Sequence, residues 1–209
     1  MLQFEDTDMH RPSENKEQSF WDWFSAKSEK LFFFELYQEK LLPETLIEIQ
    51  KIHPDLVFEI GPEIDGKRDF IISANGLKEA FPAVIELVRS APQFDSWNII
   101  PFRQRKKDLD MEVEIEEVML SPDDVVFDYD YDDNKVNLNI YVEDVDSEDS
   151  RVYHIIFILL DNIIGEYDVE MKIGRIDIYT LDETKSTSHL HPLQELPRIV
   201  DNLGKKTIH

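Results

Sequence analysis

Residues 125–142 read VVFDYDYDDNKVNLNIYV, and their centre, DYDYDDN from Asp128 to Asn134, can be folded in two ways. Carboxylates at every second position look like the start of a calcium-binding loop. Such a loop takes oxygen ligands at positions one, three and five, a glycine at six and a bidentate glutamate at twelve. With Asp128 first, Asp130 and Asp132 fit, but position six is Asp133 and position twelve is Asn139. The residue that makes the sharp turn and the ligand that closes the shell are both missing. A strand explains more of the residues. Its side chains alternate between faces, so Phe127, Tyr129 and Tyr131 share one face while Val126, Asp128, Asp130 and Asp132 share the other.

If Asp133-Asn134 forms a two-residue turn, which both residues tolerate because each can adopt φ > 0, the pairing is fixed. Asp132 faces Lys135, Tyr131 faces Val136, Asp130 faces Asn137, Tyr129 faces Leu138 and Asp128 faces Asn139. Each of these carboxylates meets a lysine or an amide, and each tyrosine meets an aliphatic; such pairs contribute several tenths of a kcal/mol apiece. The row of acids is tolerable, because charges about 7 Å apart in water repel by about 0.6 kcal/mol before screening. The stretch is expected to be a β-hairpin with a wet acidic face. No dedicated metal site and no cofactor are expected, and weak calcium binding along the ladder stays open.

Working outward, WNIIPF from Trp97 and MEVEIEEVML from Met111 read as strands. In the second, Val113 and Ile115 sit on one parity and Val118 and Leu120 on the other, which predicts a bulge near Glu116-Glu117. A strongly apolar helix over 151–164 ends at Gly165. GRIDIYTL is then a strand and PLQELPRIVDNL a short helix. In the N-terminal half, residues 18–40 have helical spacing, as one helix or two joined near Ser28. Pro43 suits the first turn of the next helix. LVFEI and DFIIS flank a turn from Gly61 to Gly66 and read as a hairpin. Asn75 is placed to cap a helix running to Val88, with Pro82 in its first turns. The order predicts an α+β fold: a single domain over residues 18–209, a largely antiparallel sheet with helices packed on one face. Residues 1–17 read as a flexible polar leader. No internal repeat or linker is visible, and 143–150 is the most loop-like internal segment.

Composition removes several classes of function. The 209 residues contain no cysteine, which excludes disulfides, thiolate metal sites and cysteine nucleophiles. The formal net charge is −23, and residues 108–150 alone hold 17 Asp and Glu against the single Lys135. Such a field repels nucleic acid and anionic membrane surfaces and attracts basic proteins or cations. The longest apolar run, Ile155 to Leu160, stops at Asp161, far short of the roughly 20 residues of a membrane span. The N-terminus has no secretory signal pattern, and a cytoplasmic location is expected. Arg103-Gln-Arg-Lys-Lys107, the one basic run, is read as a loop neutralised by nearby acids.

Few residues carry chemistry. Asp161, Glu166, Asp168 and Glu170 lie in LLDNIIGEYDVE and are expected where a helix end runs into an edge strand, with the acids in water. As an alternative, a turn that gathered them into a cleft would supply a general acid and base. His189 and His191 have a spacing found in some metal sites, but no third ligand accompanies them. The Trp21/Trp23 and Phe32–Phe34 clusters are expected in the core, with a homodimer contact as a further option. Five stretches, FWDWF at 20–24, FIISANG at 70–76, FPAV at 81–84, FRQR at 102–105 and LLDNIIGEYDVE at 159–170, give the chain a resemblance to a conserved bacterial protein family of unknown function. The resemblance implies a bacterial, cytoplasmic protein and transfers no activity or site residue.

The functional expectation is a non-enzymatic interaction protein, immunity- or inhibitor-like. Asp128, Asp130 and Asp132 would steer a basic protein partner, and Tyr129, Tyr131 and Tyr141 would anchor it. The alternative is a carboxylate-based hydrolase built on Asp161, Glu166, Asp168 and Glu170, with or without a divalent cation.

Overall fold

The computed structural model describes residues 15–143, 145–146, 149–181 and 188–203. The leader expected over 1–17 lies outside them up to residue 14, as do parts of the 143–150 loop and the segment before Ser188. Within the leader, Asn15 accepts a hydrogen bond from the Gln18 amide at 3.0 Å and starts α1 (Lys16–Phe32), so helix begins earlier than expected. The chain does not continue helically to residue 40, nor break near Ser28. It breaks over Phe33–Tyr37 and resumes as α2 (Gln38–Gln50), with Pro43 inside the helix rather than at its start. The break has a packing reason: it brings the Phe32 and Phe34 rings to 5.4 and 5.2 Å from the buried Arg68 guanidinium, a pair of cation–π contacts.

β1 (Val57–Ile60) and β2 (Arg68–Ser73) form the expected antiparallel hairpin. Its turn is made by Asp65 and Gly66, both at positive φ, the conformation an Asp-Gly pair favours between twisted strands. Asn75 caps no helix. At φ 53 it forms a turn with Gly76, and α3 (Phe81–Arg89) begins only after a further 3-10 turn, with Pro82 in its first turn. β3 (Trp97–Pro101) then pairs parallel with β2, the usual result when a helix carries the chain from one strand to the next. Phe24 centres the core beneath this sheet, edge-on to Phe70 at 4.8 Å and to Trp97 at 5.4 Å. Each such ring pair adds about 0.5–1.5 kcal/mol beyond its buried area.

Residues 111–120 are not one bulged strand. β4 (Val113–Ile115) and β5 (Val118–Leu120) form a separate hairpin that turns at Glu116, whose φ is 55. Reversing the chain returns Val118 to the side of Ile115, which accounts for the shift in parity better than an inserted residue does. β6 (Val125–Asp132) and β7 (Lys135–Val142) pair in the register expected from the Asp133-Asn134 turn, from Asp132 opposite Lys135 to Asp128 opposite Asn139. β8 (Ile173–Thr180) joins β7 in parallel and β9 (His191–Pro192) joins β6, giving the order β8-β7-β6-β9. The β7–β8 register slips between Val136 and Leu138. Gly174 sits there because a Cβ would collide with the Asn137 amide oxygen, which accepts a hydrogen bond from the Arg175 N–H at 2.9 Å.

The fold is α+β and mostly antiparallel. Among the described residues its strands are distributed over three sheets, and its buried apolar side chains over two clusters. One cluster spans Phe20 to Phe102. The other combines the inward row of the large sheet, Phe127, Leu138 and Ile140 among it, with α4 (Ser150–Ile164) and α6 (Leu196–Asp201). Among the described residues no helix is long and apolar enough to cross a membrane.

Candidate functional site

The outward face of the four-stranded sheet is the first candidate. Alternation puts Asp128, Asp130 and Asp132 of β6, Asn137, Asn139 and Tyr141 of β7, and Arg175, Asp177 and Tyr179 of β8 on that face. Amides hold the acids in place: Asn139 donates to Asp128 at 2.6 Å and Asn137 to Asp130 at 2.8 Å. The Tyr141 hydroxyl donates to the other oxygen of Asp128 at 2.9 Å, and its ring stacks on Tyr179 at 5.5 Å. Burial and then the bond to Asp128 raise the pKa of this phenol. Arg175 pairs with Asp177 and, at 3.6 Å, with Asp130. Lys135 stands opposite Asp132 by register, yet its ammonium leaves that acid and donates to the Glu170 and Ile173 carbonyls at 3.2 and 3.0 Å. There it meets the negative end of a short helix. Tyr129 and Tyr131 point to the opposite face, where Tyr129 packs against the core and Tyr131 lies at the hairpin tip.

The second candidate lies where the two clusters meet. GEYDVE is not an edge strand: α5 (Glu166–Lys172) begins immediately after α4, and Gly165 at φ 90 makes the corner. The corner presses on the chain that leaves β3, with a Cβ on Gly165 meeting Arg105 N at 3.4 Å. Glu166 is fully buried. Its Oε1 accepts from the amides of Ala74 at 2.9 Å and Gly76 at 3.2 Å, and its Oε2 from the amide of Arg103 at 3.0 Å. The left-handed Asn75-Gly76 turn thus forms an anion-binding nest filled by the protein's own carboxylate. Phe81, Phe102 and Tyr167 pack beside it, Phe81 and Phe102 at 4.5 Å. Glu166 therefore fastens the second cluster to the first.

Asp161, in the last turn of α4, is 7% exposed and takes one hydrogen bond, to Oδ2 from Arg103 at 3.2 Å. Burial first, then the Glu166 charge, push its pKa up to about 7, against the lowering effect of Arg103. Arg103 also meets Glu59 at 2.5 Å. Burial opposes the Arg103 charge, but its bond to Glu59 and the fields of Glu59, Glu166 and Asp161 outweigh that and raise its pKa. Asp161, Arg103 and Glu166 border a cleft of about 530 Å³ whose walls include Ile115, His154, Phe157, Ile158, Val169 and Glu170.

Of the four carboxylates singled out from sequence, Asp161, Glu166 and Glu170 line this cleft. Asp168 turns away to Lys172 at 2.8 Å and Arg105 at 3.7 Å. In the basic run the two arginines pair with acids, Arg105 with Asp201 at 2.9 Å and Arg103 at the centre of the buried network. His191 packs at a tilt against Phe127 and Tyr129 and meets Glu195 at 3.2 Å. Among the described residues no group of three or more His, Asp or Glu side chains is placed to hold a metal ion. The sequence pointed to no role for Glu59, His154, Asp177 or Tyr179, and to Arg103 only as part of a neutralised basic loop. For Tyr179 a signal existed, since GRIDIYTL alternates Arg175, Asp177 and Tyr179 opposite Ile176 and Ile178. No protein-family model, curated protein or solved structure matches the chain. The functional reading therefore rests on the side chains themselves.

Proposed function

We propose that the protein is a non-enzymatic interaction protein of the bacterial cytoplasm, which uses the outward face of β6, β7 and β8 to bind a basic protein, as an inhibitor or immunity protein would. The observation that carries this is the Tyr141–Tyr179 stack on the outward sheet face, where Tyr179 is exposed and Asp128, Asp130 and Asp177 stand beside the pair. Tyrosines with little conformational freedom are effective anchors in protein interfaces. Surrounding acids raise the encounter rate with a cationic partner and orient it. The anchoring role passes from Tyr129 and Tyr131, which face the other way, to Tyr141 and Tyr179. The test is capture from an extract of the source organism with wild-type and Tyr141→Ala/Tyr179→Ala baits at low and high salt. The expected result is one basic protein retained by the wild type at low salt, released at high salt and absent from the double variant. Equal capture by both baits, or no basic protein on either, would overturn the proposal.

The hydrolase reading has one observation in its favour, an Asp161 whose pKa of about 7 suits proton transfer near neutral pH. Against it, Glu166 already accepts three backbone N–H groups and has the geometry of a fastener rather than of a base. Hydrolysis of any ester, glycoside or phosphoester that Asp161→Asn abolished would restore it.

A further inference from the structure

The cleft at the junction of the two clusters has features that neither fold stability nor the sheet face explains. Its volume of about 530 Å³ lies within the range of small-molecule sites. One wall is apolar, made by Ile115, Phe157, Ile158 and Val169, and Phe157 is 43% exposed. The other end is charged. Asp161 is mostly buried and lines the cleft: Arg103 holds its Oδ2, and its Oδ1 stays open to the solvent that fills the cleft. A carboxylate in the last turn of α4 also faces the unfavourable end of the helix dipole. Burial and the helix end both disfavour its charge, and its solvent-reachable oxygen on the cleft side is open to a ligand.

The charge balance decides the sign of that donor. Among the described residues that line the cleft, Arg103 is the one Arg or Lys, and it is engaged by Glu59 and Asp161 and lies in the field of Glu166. The groups facing Asp161 are Arg103 from the segment after β3, Glu59 from β1, His154 from its own helix, and Glu166 and Glu170 from α5. Carboxylates outnumber the single guanidinium, so an anionic ligand would meet net repulsion.

We propose that this cleft binds a small organic cation with an apolar body, its ammonium group on Asp161 Oδ1 and Glu170 and its hydrocarbon along Phe157, Ile158 and Ile115. The ring of Phe157 offers its face to the cation or its alkyl neighbours. The site is separate from the acidic sheet surface, and its test does not depend on the proposal made for that surface. Because Asp161 holds its proton up to about pH 7, an incoming cation displaces it, and on the order of half a proton is released per ligand at neutral pH. Affinity then rises roughly tenfold from pH 6 to pH 8, following the ionised fraction of that carboxyl.

Isothermal titration of the full chain with hexylammonium, hexanol and hexanoate tests this, with the ammonium run repeated in buffers of different ionisation enthalpy. The expected result is binding of hexylammonium alone, with proton release and the stated pH dependence. Asp161→Asn should abolish the proton release and cut affinity at least tenfold. Glu170→Gln, on the partly exposed side of α5, should weaken binding several-fold while keeping the proton release. Hexanoate binding as tightly as hexylammonium, full affinity in both variants, or no binding of hexylammonium at millimolar concentration would each overturn the proposal.

Discussion

Replacing Asp161 by Asn isolates the cost of the buried carboxylate at the junction. The folded state holds the Asp161 proton up to about pH 7, against an ordinary value of 3.8. Between those two values the folded protein binds more protons than the unfolded chain, so the contribution of this group to stability falls as pH rises and levels off above the folded pKa. From pH 5 to pH 8 the loss is on the order of 3 kcal/mol at 1.36 kcal/mol per unit. Asparagine has nearly the same shape and does not titrate. The variant should therefore gain on the wild type by that amount across the interval, whatever constant difference arises from its weaker bond to Arg103. Urea denaturation of both proteins at pH 5, 6, 7 and 8 measures this directly, since the remaining titrating groups are shared and cancel. A wild-type-minus-variant difference that stays flat with pH, or that changes in the opposite direction, would refute the burial argument for Asp161.

Glu166→Ala removes the acceptor of three amides and should cost about 3 kcal/mol or more in chemical denaturation, since each stranded buried donor costs roughly 1–3 kcal/mol. Hydrogen exchange should speed up at Ala74, Gly76 and Arg103. Gly174→Ala drives the new methyl into Asn137 and releases its bonds to Asp130 and Arg175, so the melting temperature should drop by an amount equivalent to about 1–2 kcal/mol. Arg68→Lys keeps the charge but loses the guanidinium's contacts with the Phe32 and Phe34 rings and its two bonds, to Gly61 and Glu35. A loss on the order of 2 kcal/mol is expected in urea titration.

The hairpin of β6 and β7 was legible because each residue type agrees with the next. Period-two alternation, Asp-Asn at the turn and an amide or lysine opposite each of Asp128, Asp130 and Asp132 all specify one register. The β4–β5 hairpin was not, because Glu116 takes a left-handed conformation that glutamate seldom adopts, and nothing in its side chain signals a turn. GEYDVE failed for a related reason. Glu166, Asp168 and Glu170 alternate like the wet face of a strand, whereas the amides of Ala74, Gly76 and Arg103, some 60 to 90 residues earlier in the chain, decide that Glu166 is buried. A carboxylate whose partners are backbone groups leaves no mark on its partners' residue types. Arg103 and Asp161 were visible as residues but not as a pair, since a contact across 58 positions depends on how the two clusters dock.

The most direct test of the sheet face as a binding surface is an NMR titration of the isotopically labelled protein with an oligoarginine peptide at low and high salt. The surface in question should respond first: shifts at Asp128, Asn139, Tyr141, Asp177 and Tyr179, lost at high salt and in Tyr141→Ala/Tyr179→Ala. Shifts spread equally over the glutamates of β4 and β5, or unchanged by the double substitution, would mean that the peptide reads net charge alone and that this face is not a built interface.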